Sequence, residues 1–257
     1  MNDKFSFGLF VINISAKNKT EAGFTIYDSP VQYPDAIQLF KTEDNASGIG
    51  VVAGIDIKPI DKLNLTLRYE SKVKLDFKTK VVHDDLGLAM DGEKNRRDLP
   101  AVAGLGLGYS INDKFKMLFD FNYYFQTHAD WGNTDTAIGN QSLSKLAGNA
   151  SSFALGFEYR FSKKLLASLG VVYTYNNYKD QSTYFTHLGA FEVVQVSNTS
   201  INAGIAYSIS EKIKINIGML RAIYPKDNKV KSIAAGGVDV TINNGITGIG
   251  LGVDLLF

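Results

Sequence analysis

The sequence predicts an all-β fold: an antiparallel transmembrane β-barrel. Three observations carry that expectation. First, apolar and polar residues alternate. In FKMLFDFNYYF, Phe115, Met117, Phe119, Phe121, Tyr123 and Phe125 share one face, and Lys116, Leu118, Asp120, Asn122 and Tyr124 the other. A helix would scatter those aromatics round its axis, whereas a strand sets all six on one side. Second, the alternating segments run to about 10–15 residues, longer than soluble strands and suited to tilted membrane strands. Third, short and long connections alternate strictly, so the tight turns gather at one end of the strands and the long loops at the other.

Ten strands are expected, in order. Residues 5–15 carry FSFGLF, with Phe10 and Ile12 on the inward face. Residues 48–57 include IGVVAGI, a long apolar run for this chain but far short of the ~18 residues of a spanning helix. Residues 63–78 set Leu63, Leu65, Leu67, Tyr69, Ser71, Val73, Leu75 and Phe77 against Asn64, Thr66, Arg68, Glu70, Lys72, Lys74 and Asp76. Residues 101–111 turn Gly104, Gly106 and Gly108 inward, and 115–126 is the aromatic strand quoted above. In 151–161, Phe153, Leu155, Phe157, Tyr159 and Phe161 oppose Ala154, Gly156, Glu158 and Arg160. Residues 165–176, 199–209 and 213–224 follow. The last strand, 245–257, alternates Ile249, Leu251, Val253, Leu255 and Phe257 with Gly248, Gly250, Gly252 and Asp254. The tight turns are near-copies, PIDKL, INDKF, FSKKL and ISEKI, and the opening MNDKF reads as a fifth. The stretches 16–47, 79–100, 127–150, 177–198 and 225–244 are expected to be loops.

A soluble β-sandwich also alternates. Strand length, the charged Arg68–Lys74 face, the sorting of turns and the aromatics near strand ends (Tyr109, Tyr159, Tyr173, Tyr175, Tyr207) favour the barrel. A net charge of +1 gives no basic face for nucleic acid. The absence of Cys excludes disulfides and thiol catalysis. No G-x-S-x-G, H-E-x-x-H or phosphate-loop pattern occurs, and His83, His128 and His187 fall in expected loops. No enzyme activity, metal or cofactor is therefore expected.

At Tyr69-Glu70-Ser71-Lys72-Val73-Lys74-Leu75-Asp76-Phe77, and again over DLPAVAGLGLGYSINDKFKMLFDFNYYF (residues 98–125), the chain resembles the FadL-like outer-membrane transporters. The resemblance implies a single barrel domain over 1–257 in the bacterial outer membrane. It implies passive diffusion of long-chain fatty acids or other hydrophobic molecules; a non-specific porin or structural barrel is the alternative. That family has fourteen strands, a hatch and a secretion signal, so ten strands imply the C-terminal part of such a protein, without the hatch and first strands. The expected partners are membrane lipid and a hydrophobic ligand, and the expected state is a monomer. Inward Arg68, Lys72, Lys74 and Arg160 are candidates for a carboxylate head group, with cross-strand pairing to Glu70, Asp76 and Glu158 as the competing reading. Tyr124 is the candidate lumen contact for an apolar body.

Overall fold

The computed structural model describes residues 4–25, 37–85, 87–133, 140–177, 196–225, 228–232, 238–242 and 245–255. Met1–Asp3 of MNDKF, His187 and the closing Phe257 lie outside them.

The chain starts with a long antiparallel pair, β1 (Phe5–Thr25) and β2 (Ile37–Ile60). β3 (Leu63–Glu70) pairs with the lower half of β2, and β4 (Asp76–Asp84) with its upper half. β5 (Lys94–Arg96) pairs with β4, and β6 (Val102–Ser110) with β3. An antiparallel meander follows: β7 (Phe115–Tyr124), β8 (Ala150–Arg160), β9 (Leu165–Asn176), β10 (Asn198–Ser208) and β11 (Ile213–Ile223). A short 3-10 turn (Gln126–His128) and α1 (Leu143–Ala147) separate β7 from β8. β12 (Asn228–Ser232) and β13 (Val238–Ile242) form their own hairpin, and β14 (Gly245–Leu255) returns to pair with β11.

Twelve of these strands form one sheet, ordered β14-β11-β10-β9-β8-β7-β6-β3-β2-β4-β5, with β1 on β2. β3 and β4 are two halves of one broken strand, as are β5 and β6. The wall therefore has the ten positions expected from the alternation. Among the described residues, no ladder joins β1 to β14. No described helix is long and apolar enough to cross a membrane, which says nothing of a strand-built wall.

Register makes the wall two-faced. Leu9 pairs with Ala53, Ala53 with Tyr69, Tyr69 with Ala103, Ala103 with Tyr123, and Tyr123 with Ser151. The series continues through Tyr175 and, at other levels, to Ile217 and Leu251. Every partner is odd-numbered, so odd residues from β1 to β14 share the outer surface, except where β4 and β5 intervene. That surface is a belt of Phe, Leu, Ile, Val and Tyr; Ile249 and Leu251 are each 79% exposed. Even residues line the other side, where Asp56, Thr66, Arg68, Asp120, Glu158 and Lys214 sit. An apolar exterior with a polar interior inverts the soluble pattern and is what a lipid-facing barrel requires.

The repeated turns share one geometry. Asn112 Oδ1 accepts the amides of Lys114 and Phe115, and Ser162 Oγ those of Lys164 and Leu165. Ser210 Oγ accepts the Lys212 amide in the same way. In these three copies the polar residue that opens the turn is thus its side-chain cap.

Several expectations need correction. The stretches 79–100 and 225–244, expected as loops, carry the end of β4 with β5, and the β12–β13 hairpin. The segment 16–47 is not mainly loop. β1 and β2 run on to Thr25 and from Ile37, so β1 alone extends about 70 Å at ~3.3 Å per residue. The outer face of this extension is charged: Lys17 and Lys19 pair with Glu43 at 2.8 and 3.1 Å, and Lys41 with Glu21 at 2.7 Å. A polar outer face breaks the apolar alternation, which is why the sequence reads as loop there. The last correction is the break in 63–78.

Candidate lumen site

The β3–β4 break is built by glycine and by one buried acid. The β2 ladder stops at Val52↔Glu70 and resumes at Asn45↔Lys78. Between them the chain of 71–75 swings across the inner face of β2. Val73 (1% exposed) and Leu75 (2%) pack on Ala46, with Ile12, Ile14 and Phe77 around them. Only glycine at 48 and 50 leaves room. A Cβ on Gly50 would stand 2.6 Å from Val73 Cγ2, and one on Gly48 would overlap the Lys74 carbonyl oxygen. The break inverts parity: odd residues face out through Tyr69 and in along β4, where Thr79 pairs with inward Asp44. A one-residue slip does this to every following side chain. Val73, Leu75 and Phe77, expected on the lipid face, are therefore lumenal.

Lost ladder bonds must be replaced, since unpaired backbone is costly at membrane depth. The Ser71 amide donates to the Val51 carbonyl and Ser71 Oγ accepts the Val51 amide, both at 2.8 Å. Val73 and Leu99 exchange backbone bonds of 3.1 and 2.9 Å. Asp98, whose side chain is fully enclosed, completes the clasp. Its carboxylate accepts Arg96 Nη2 at 2.7 and 2.9 Å, Arg96 Nε at 3.0 Å, the Leu75 amide at 3.2 Å and the Asp130 amide at 3.1 Å. Trp131 Nε1 donates to the Asp98 carbonyl at 2.7 Å, and Arg97 donates to the Trp131 carbonyl. One carboxylate thus ties together the broken strand, the β5–β6 link and the segment after β7.

Beside the clasp lies a cavity of about 660 Å3 at the long-loop end of the wall. Tyr124, Ala150, Thr174, Asn198 and Ile246 reach it from β7, β8, β9, β10 and β14. All are even-numbered, hence on the inner face. Leu99, Pro100, Trp131, Val196 and Tyr224 add apolar and aromatic surface, and Asp98, Gln126 and Asn176 add polar groups. That β14 and the β5–β6 link reach one cavity shows how far the wall curls.

The expected head-group cations fare differently. Arg68 is inward but committed, to Glu70 at 3.2 Å and Asn122 Oδ1 at 3.1 Å. Lys72 lies in the break, not on a strand face, and donates to the His128 carbonyl at 3.0 Å, with Asp98 at 3.8 Å. Lys74 is exposed, on the side of the crossing segment opposite Val73 and Leu75, which pack down on β2. Asp76 pairs with Arg96 at 3.1 Å. Arg160 is inward and, among the described residues, its side chain has no ion-pair partner; it lines a separate recess at the tight-turn end with Lys164 and Lys214. Tyr124 alone of the five lies in the aromatic cavity. His83 meets Asp85 at 2.9 Å on an exposed strand end, and among the described residues no group of three or more His, Asp or Glu could hold a metal. Asp98, Gln126 and Trp131 were not singled out from sequence. The DLP string containing Asp98 was visible, but its partners are brought to it only by the fold.

The family model described as outer membrane protein transport protein (OMPP1/FadL/TodX) matches residues 1–255. Among solved structures, a Pseudomonas aeruginosa FadL homologue is similar at 18% identity and TM-score 0.61, covering 98% of this chain and 63% of that one. The Ralstonia pickettii toluene transporter TbuX is similar at 15% identity and TM-score 0.56, covering 86% of this chain and 59% of that one. The Pseudomonas putida toluene transporter TodX is similar at 13% identity and TM-score 0.50, over 88% and 62%. The chain thus spans less than two thirds of the length of these structures. No curated protein matches it.

Proposed function

We propose a function from one premise: this chain belongs to the OMPP1/FadL/TodX family of outer membrane transport proteins, and it is a bacterial outer-membrane barrel protein. Our reading is that it carries small hydrophobic molecules across that membrane by passive diffusion through the barrel interior. The observation that supports this best is the aromatic and aliphatic cavity on the inner face of a wall whose outer face is greasy. A channel for water-soluble solutes has no use for Trp131, Tyr124, Leu99 and Ile246 on its wet side, whereas a greasy solute leaving water gains about 25 cal/mol for each Å2 of apolar surface covered there.

Two structures similar to this chain are named as toluene transporters. The cavity suits a body of that size as well as the end of an acyl chain. The cations expected to hold a fatty-acid head divide. Arg68 and Lys72 are spent on internal bonds, and Lys74 does not line the cavity. Arg160, with Lys164 and Lys214, offers a carboxylate contact at the tight-turn end, far from the cavity. Small neutral molecules therefore fit the upper lumen better than a carboxylate does.

The test is uptake by cells expressing the full chain in the outer membrane. Protein-dependent accumulation of labelled toluene without increased entry of a small sugar is expected. Equal gains for both would establish the non-specific porin instead.

A further inference from the structure

The aromatic cavity has one unmet demand. Gln126 is 7% exposed and lines the cavity, yet its Oε1 has no hydrogen-bond partner. Its neighbours are satisfied. The Thr127 amide and hydroxyl both donate to Asn149 Oδ1 at 3.0 Å, and Asn149 Nδ2 donates to the Tyr123 hydroxyl at 2.9 Å. The Gln126 backbone carbonyl accepts the Ala129 amide at 2.9 Å. The turn is thus fixed by bonds that leave out the Gln126 side chain. A buried polar atom without a partner is rare in folded proteins and calls for an occupant.

Charge narrows the occupant. Asp98 is the one charged residue among the described residues lining the cavity, and its carboxylate is wholly enclosed and taken up by Arg96 and two amides. An anionic ligand meets no free cation there, and a cationic one finds only neutral oxygens in place of its water shell. A hydroxyl suits the position. It donates to an amide oxygen and accepts from an amide nitrogen, so it satisfies Gln126 in either amide orientation.

We propose that Gln126 is the specificity-determining contact of a ligand subsite for a neutral aromatic molecule carrying a hydroxyl, a phenol in chemical class. The ring lies among Trp131, Tyr124, Leu99 and Ile246, and the hydroxyl bonds the Gln126 amide. The inference rests on the transport reading, of which it names the preferred substrate class.

Trp131 is the only tryptophan in the chain, so its fluorescence reports on this cavity alone. The experiment titrates the purified full chain in detergent with p-cresol, toluene and p-toluate. Wild-type protein is expected to bind p-cresol about tenfold more tightly than toluene, the worth of one hydrogen bond, and p-toluate no more tightly than toluene. Gln126→Met keeps the side-chain length and removes the amide; it is expected to bring p-cresol within about twofold of toluene. Equal affinities for p-cresol and toluene in the wild type, or a preference that survives Gln126→Met, overturn the proposal, leaving a water-filled notch. If the variant fails to fold, shown by loss of its heat-dependent gel shift, the wild-type ranking of the three ligands decides alone. Toluene uptake with no p-cresol preference sinks the subsite and spares the transport reading. A p-cresol preference without uptake of either molecule does the reverse.

Discussion

The meander from β7 to β11 and the seam from β2 to β6 are parts of one wall built in opposite ways. In the meander every position is filled by the ladder. Pairing runs without a bulge from Phe115↔Tyr159 to Ser208↔Lys214, and the turns repeat one capped geometry. The seam has gaps in its ladder, filled by side chains: Ser71 on Val51, Val73 and Leu75 on glycine, and Asp98 on two loops. Regular pairing makes a barrier. The departure from it brings Trp131, Leu99 and Pro100 to the rim of the cavity.

The contrast can be tested by damaging each side. Asp98→Ala should have the largest effect, about 3–5 kcal/mol, because it strands Arg96 and unties three segments at once. Hydrogen exchange should then show lost protection at Leu75 and Asp130, with Leu155 and Ile205 in the meander unchanged. Leu75→Ala should cost about 2–4 kcal/mol in denaturant unfolding, the price of a cavity beneath β2. Leu155→Ala, on the lipid side and 38% exposed, should cost less than half as much. Gly48→Ala should cost about 1–3 kcal/mol through overpacking. Gly250→Ala, with nothing within 4 Å of the added carbon, should leave the unfolding midpoint unchanged.

The smallest effect concerns the charged extension of β1 and β2. Bonds from Lys17 and then Lys19 hold the Glu43 carboxyl down at about 2, from an ordinary 4.5. A depressed acid stabilises the fold above its unfolded value. That contribution is complete above about pH 4.5 and is lost as the pH falls toward 2. Thermal midpoints of wild type and Glu43→Gln should therefore differ slightly at neutral pH and converge in acid. Added salt should shrink the difference, since these side chains are solvated.

What the sequence made legible follows the same division. The ten wall positions, both faces of the meander and the capped turns could be read from period 2 and from the INDKF-like copies, because local pattern and final structure agree there. The strand expected over 63–78 followed the same period and placed Val73 and Leu75 on the wrong face. Nothing local marks the slip: its causes are Gly48 and Gly50, more than twenty residues earlier, and Asp98, more than twenty later. Tyr124 could be put on the inner face because its strand is regular. Gln126 and Trp131 could not, because the short turn after β7 has no period to read. Lys72 and Lys74 looked like neighbours on one strand face only while the strand was taken as continuous.

The most direct test of the whole account is to fill the cavity. Thr174 lies on its β9 wall, inside the regular meander, so Thr174→Trp adds bulk to the lumen without touching the clasp. Uptake of labelled toluene should be measured in cells producing equal amounts of heat-modifiable wild type and variant. The account predicts that the variant falls to the level of cells lacking the protein. Uptake equal to wild type would contradict it, placing the route for hydrophobic molecules outside this cavity.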